Sequence, residues 1–301
     1  MNRLTIFGWH NVESTWCFPV PAARGARGLE RQLRWLRRTA QVVPLEWALD
    51  RLHAGDPLPA RAVALCWDDG YRDNLDLAVP ILERLGLPGT FFLVPELLSR
   101  RTRAWWEVLG WAFERSTKDS FGWRSSIYTT GRADYVRVSD ELRAMDERAR
   151  QEAVPELVKA LAPEGEPGDV EMFMDWAAAK ELVARGFDVG SHSLRHAALA
   201  QETPEEQVAD LATARSVLQD GLGVEINVVA YPYGQPDTVS GETESAARKA
   251  GYAHGLTTEA GLNSRSTCAT AGHRIMLDPH RTFTGSAVER VAGKLRKVVA
   301  R

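Results

Sequence analysis

Two histidines four residues apart, His192 and His196, and an adjacent aspartate pair, Asp68 and Asp69, are the residues of this chain best suited to chemistry. Two imidazoles and a carboxylate can hold one face of a divalent cation and leave positions open for water and substrate. Of two neighbouring aspartates, one carboxylate can go to the metal and the other to its water. His192 and His196 meet on one side if Ser191-His192-Ser193-Leu194-Arg195-His196 turns helically. Each motif alone is ambiguous: the histidines could be capping or surface groups, and Asp68-Asp69-Gly70 is common turn chemistry. Tyr231-Pro232-Tyr233-Gly234 and His10 are the other polar groups of interest.

The elements around these residues decide the matter. Apolar, β-rich runs at Leu4–Trp9, Ala62–Trp67, Thr90–Val94, Phe187–Gly190, Ile226–Tyr231, Tyr252–Leu256 and Arg274–Leu277 alternate with segments of helical period. Leu29, Leu33, Leu36 and Ala40 repeat at three and four residues, as do Leu75, Val79, Leu82 and Leu85. Thr203-Pro204-Glu205-Glu206 combines a capping box with proline at the first helical position, so a helix should start there. The pattern predicts an α/β fold: a distorted (β/α) barrel of about seven parallel strands, with an open sheet as the alternative. His10, Asp68, Asp69, His192 and Tyr231 each follow a strand, and parallel strands bring such positions to one rim. From about residue 100 to 168 the rhythm breaks into an aromatic helix, a Ser/Thr/Gly-rich stretch and a charged helix. We read residues 1–301 as one domain with a helical insertion at 100–168, laid over one end of the barrel.

With 301 residues, 44% apolar and 26% charged, the chain can bury a large core. A net charge of -3 argues against nucleic acid as a partner. Arg31, Arg34, Arg37 and Arg38 read as one solvated helix face. Cys17, Cys66 and Cys268 show no CxxC spacing and are too few for a disulfide framework. Leu4 to Trp9 is too short for a signal-peptide core and no run approaches a transmembrane segment, so the expected location is cytoplasmic.

The motifs together resemble the polysaccharide deacetylase family, also called the NodB homology domain or carbohydrate esterase family 4. The Thr-Phe-Asp-Asp-Gly motif of that family is similar to Leu65-Cys66-Trp67-Asp68-Asp69-Gly70 here, and its His-Ser/Thr-x-x-His motif is matched in full by His192 to His196. Its Arg-x-Pro-Tyr motif corresponds to Ala230-Tyr231-Pro232-Tyr233. The opening Trp9-His10-Asn11-Val12 resembles the Tyr-His-x-Val start of the branch that deacetylates exopolysaccharides such as poly-N-acetylglucosamine. The resemblance spans Leu4 to about Val94 and Trp176 to about Leu277.

The resemblance implies hydrolysis of an N-acetyl group on an amino sugar of a surface polysaccharide, a lipopolysaccharide or a precursor. It implies one divalent metal ion on Asp69, His192 and His196; zinc is the first choice, and nickel, cobalt and iron also suit these ligands. Asp68 becomes the base, His10 the acid, and the Tyr233 N–H the oxyanion donor, with Tyr231 and Pro232 beside it. Two departures stand out. Ala230 replaces the arginine of the third motif, leaving Arg274 to orient Asp68. The expected Asp-Trp motif is absent after the third motif, although Asp175-Trp176 precedes the histidines, where Trp176 either lines the site or packs. His273 and His280 lack the Leu-x-His context of the acid in other branches. Trp105, Trp106 and Trp111 either stack on sugar or anchor the insertion; Arg72, Asp73 and Asn74 are either rim contacts or helix caps. Rival readings are an amidohydrolase or deformylase acting on a small or cyclic amide, a non-haem iron oxygenase, and a silent sugar-binding protein. The sequence leaves the oligomeric state open.

Overall fold

The computed structural model describes residues 2–19 and 25–277. Its strands are β1 (Leu4–Trp9), β2 (Gln41–Val42), β3 (Ala62–Trp67), β4 (Thr90–Leu93), β5 (Ser120–Trp123), β6 (Ser126–Thr129), β7 (Asp188–Ser191), β8 (Val228–Ala230), β9 (His254–Leu256) and β10 (Ile275–Met276). The main sheet runs β10-β1-β3-β4-β7-β8-β9, all neighbours parallel, with β2 also paired to β3. Helices fill the crossovers, as parallel pairing requires. The sheet curls into the expected barrel. One segment ties its two edges: Gly272 bridges Leu256, the last residue of β9, and Ile275 and Met276 pair with β1.

β1 and β3 are continuous apolar runs because both faces are covered. Phe7, Trp9, Val63, Leu65 and Trp67 pack outward with the helices, whereas Leu4, Ile6, Ala62, Ala64 and Cys66 face inward with helix Leu45–Ala54. Near the rim, Trp9 stacks on Trp67 at 5.1 Å and Trp67 on Phe91 at 5.1 Å, an aromatic row across three strands.

The insertion carries its own apolar cluster, including Trp106, Leu109, Phe113, Tyr128, Leu142 and Leu157, which joins the barrel through Tyr71 and Cys17. It also holds strand structure absent from the sequence expectation, the antiparallel hairpin β5–β6. Its turn residue Arg124 takes φ 51° without an Asn-Gly signature, and each strand is only four residues long. The helix expected after Thr203 is present as Pro204–Leu222, with the complete capping box. Among the described residues no helix is long and apolar enough to cross a membrane.

Candidate active site

Asp68 and Asp69 leave the end of β3, where Asp68 N–H still donates to Trp9 C=O at 2.9 Å. Asp69 then adopts φ 69° and Gly70 φ 73°, which turns the Asp69 carboxylate toward the β7 side of the rim. His192 follows β7 and its Nδ1 donates to Ala230 C=O on β8 at 2.7 Å. The histidine segment is not helical, contrary to the sequence expectation. Ser193 and His196 take φ 61° each, and these two left-handed residues fold the loop so that the imidazoles meet at 4.9 Å. Tyr233, at φ 62°, is the fourth site residue in this conformation. Non-glycine residues of this kind cost about 1–3 kcal/mol each and persist where surrounding structure enforces them.

The result is a three-residue cluster. Asp69 Oδ1 lies 3.2 Å from His192 Nε2 and 3.2 Å from His196 Nε2, and one ligand atom from each residue falls within 4.8 Å of the others. A backbone carbonyl can only accept, so the Ala230 contact puts the proton of neutral His192 on Nδ1 and leaves Nε2 bare. Burial pushes the His196 imidazole down to about 4, against the pull of Asp69. Burial would raise Asp69, but the two imidazoles hold its carboxyl well below the usual range. Asp69 Oδ1 is buried and, among the described residues, accepts no hydrogen bond. A bare nitrogen and an ionised oxygen facing each other fit a shared cation, and the donor set suits a divalent transition metal.

Asp68 is held apart from that cluster. Arg274 Nη1 donates to Asp68 Oδ1 at 2.6 Å, while Arg274 Nε donates to Thr257 C=O. Both side chains are buried. Burial pulls the Asp68 carboxyl upward, yet Arg274, with His192 and His10, keeps it below the ordinary value. His10 stacks on Phe18 at 5.3 Å, close enough to the two carboxylates to help depress both.

Asp73 and Asn74 hold His10 in place, a role the sequence did not suggest. Asp73 Oδ2 accepts from Val12 and Glu13 N–H at 2.8 Å each, and Asn74 Nδ2 donates to His10 C=O at 2.8 Å. Arg72 instead pairs with Asp76 on the surface. Among the described residues, Tyr233 N–H has no acceptor, while Tyr233 OH receives Trp105 Nε1 and Arg150 Nη1, each at 3.0 Å. Arg150 is 1% exposed and was invisible as a site residue in the sequence, lying 83 positions from Tyr233. Trp106 lies 4.4 Å from the His196 ring and donates to Tyr71 OH, so the insertion roofs the cluster.

Several expected residues sit elsewhere. Tyr231 is buried in the core and donates to Thr270 C=O; Pro232 C=O accepts from Gly234 N–H in the turn. Trp176 donates to Ser99 Oγ and lies against Gly221, contacts of a packing residue, and Asp175 caps its helix. The His273 ring lies against Gly261; His280 lies outside the described residues.

Asp210, buried in helix Pro204–Leu222, accepts Leu194 N–H at 2.8 Å beneath the histidine loop. Burial raises its carboxyl from 3.8 to about 7. A raised acid is protonated in the fold while already ionised in the unfolded chain, so stability declines as pH rises from about 4 to about 7 and is level above. Asp210→Asn keeps the acceptor and removes the titration. Its stability gain over wild type should grow from pH 5 to pH 8 toward a ceiling on the order of 4 kcal/mol. Urea midpoints at the two pH values measure this; an equal difference at both would show that Asp210 titrates normally.

The chain is similar to known proteins in both sequence and fold. A family model, polysaccharide deacetylase, matches residues 55–255. YxkH of Bacillus subtilis (strain 168), provisionally named a polysaccharide deacetylase, is 22% identical over 288 residues, covering 95% of this chain and 74% of the relative. Poly-beta-1,6-N-acetyl-D-glucosamine N-deacetylase of Escherichia coli (strain K12) is 31% identical over 91 residues, 30% of this chain and 14% of that protein. The fold is shared with the deacetylase PplD of Streptococcus pyogenes (TM-score 0.61, 16% identity, 92% and 93% of the two chains). It is also shared with the BpsB deacetylase domain of Bordetella bronchiseptica (TM-score 0.59, 19% identity, 92% and 96%). With two thirds of its length matched by the family model, the chain belongs to the polysaccharide deacetylase family.

Proposed function

We propose that the chain is a metal-dependent N-deacetylase that releases acetate from an N-acetylated amino sugar of a bacterial surface glycan or its precursor. The observation that carries this reading is the separation of the two aspartates. Asp69 faces two imidazole nitrogens at 3.2 Å, whereas Asp68 is paired with Arg274 at 2.6 Å. Asp69, His192 and His196 would hold one divalent ion, zinc in the first instance. Such an ion supplies Lewis acidity for the acetyl carbonyl and lowers the pKa of a water.

The rest of the chemistry falls to the chain. Asp68, kept ionised by Arg274, takes the proton of the attacking water. The Tyr233 N–H, which has no acceptor among the described residues, donates to the oxygen that becomes negative in the tetrahedral intermediate. His10 protonates the amine as the C–N bond breaks, since an unprotonated amine leaves poorly. The Escherichia coli relative supports the choice of an N-acetylglucosamine polymer as first substrate.

The test is acetate release from N-acetylglucosamine oligomers by purified protein, first stripped of metal and then reloaded. Activity that vanishes on stripping and returns with the ion is the expected result. No acetate from the reloaded protein, with metal bound at one per chain, would discard this substrate and favour a small or cyclic amide.

A further inference from the structure

A cavity of about 660 Å³ lies between helix Trp105–Glu114, helix Glu147–Leu161 and the loop after it. It lies outside the metal cluster but shares a wall with it. Trp105 and Arg150, which line it, both donate to Tyr233 OH. Arg195, which also lines it, belongs to the histidine loop itself. In a chain of net charge -3, four cationic side chains face this space (Arg103, Arg150, Lys159 and Arg195) against two carboxylates, Glu147 and Glu166. Arg150 Nη2 pairs with Glu147 Oε2 at 3.3 Å and Arg195 Nε lies 3.8 Å from Asp210 Oδ2, while among the described residues Arg150 Nε and Arg195 Nε are buried without a hydrogen-bond acceptor. Trp105 and Trp111 present half-buried indoles to the same space.

We propose that this cavity is a binding subsite for a carboxylate-bearing sugar, a uronic acid, in the glycan that carries the reacting N-acetyl group. The proposal rests on the deacetylase reading. A pyranose offers an apolar face to an indole and its carboxylate matches the planar fork of an arginine. The volume lies in the usual range for ligand pockets, and apolar walls with a few placed charges are their usual chemistry. The excess of cations selects an acidic sugar over a neutral one.

Two tetrasaccharides test this, one alternating glucuronic acid with N-acetylglucosamine and one of N-acetylglucosamine alone, titrated calorimetrically into the whole chain at low salt. The acidic ligand should bind about tenfold more tightly, or about 1.4 kcal/mol, and added salt should erode the difference. Lys159→Gln, an exposed position that leaves the core untouched, should weaken the acidic ligand severalfold and spare the neutral one. Trp111→Ala should weaken the acidic ligand as well, with folding checked by its melting curve. Equal affinity for both ligands, or a Lys159→Gln variant that binds the acidic one as wild type does, would overturn the proposal. An acidic preference lost in Lys159→Gln, without acetate release from either ligand, would uphold the subsite and sink the deacetylase reading. Acetate release without acidic preference would do the reverse.

Discussion

Metal-loaded Asp68→Asn should lose about 10²- to 10⁴-fold in kcat/KM, the usual worth of a positioned general base. Asparagine is the same shape and can still accept from Arg274, but it cannot take a proton. Asp69, His192 and His196 are untouched by the change, so metal content should stay at the wild-type level. His192→Ala removes a cluster nitrogen and should lower metal content and rate together. Acetate release and metal analysis on the same preparations separate the two cases. A metal-replete Asp68→Asn enzyme running near the wild-type rate would remove Asp68 from the role of base.

Arg274→Gln should destabilise the fold by about 3–5 kcal/mol, because breaking a buried pair leaves a charge uncompensated. Both partners are buried, and Arg274 also donates to Thr257 C=O, so little solvent is available to rescue either. For a chain of this size the melting temperature should fall by about 10 °C. A purely structural arginine would stop there. Arg274 is the first of the charges that hold the Asp68 carboxyl down, so its loss should also move the acid limb of the kcat/KM profile to higher pH. In the double variant Asp68→Asn, Arg274→Gln, the stability losses should sum to less than the separate effects. Strict additivity would show that the two side chains are not coupled.

β1 and β3 were legible to the residue because each is a six-residue apolar run buried on both faces, a pattern no neighbouring segment imitates. The capping box at Thr203 was equally plain, since it is a local hydrogen-bond device. Asp68, Asp69, His192 and His196 were visible as a set because strand ends in a parallel barrel share a rim. What the sequence concealed depends on contacts across long separations. β2, two residues long, carries no periodicity of its own. The bend that joins the two histidines comes from left-handed backbone at Ser193 and His196, a conformation uncommon for any non-glycine residue and announced by no local motif here. Arg150 reaches Tyr233 from the insertion, and Asp73 reaches Val12 across 61 positions, with no local signal for either. Trp176 shows the converse: an Asp-Trp pair attracts attention in the sequence, whereas Ser99 and Gly221 account for its indole.

The strand that closes the sheet carries a consequence for biosynthesis. β10 pairs with β1, so among the described strands the last to leave the ribosome must join the first, and Arg274 stands directly before it. Contacts of such sequence separation form late, after the local βα units. Until then the nascent chain holds Asp68 beside Cys66 and Trp67 without its arginine. Barrel closure and the pairing of Asp68 with Arg274 are therefore one event, and on the proposed mechanism a half-made chain lacks the arginine that holds its base in place.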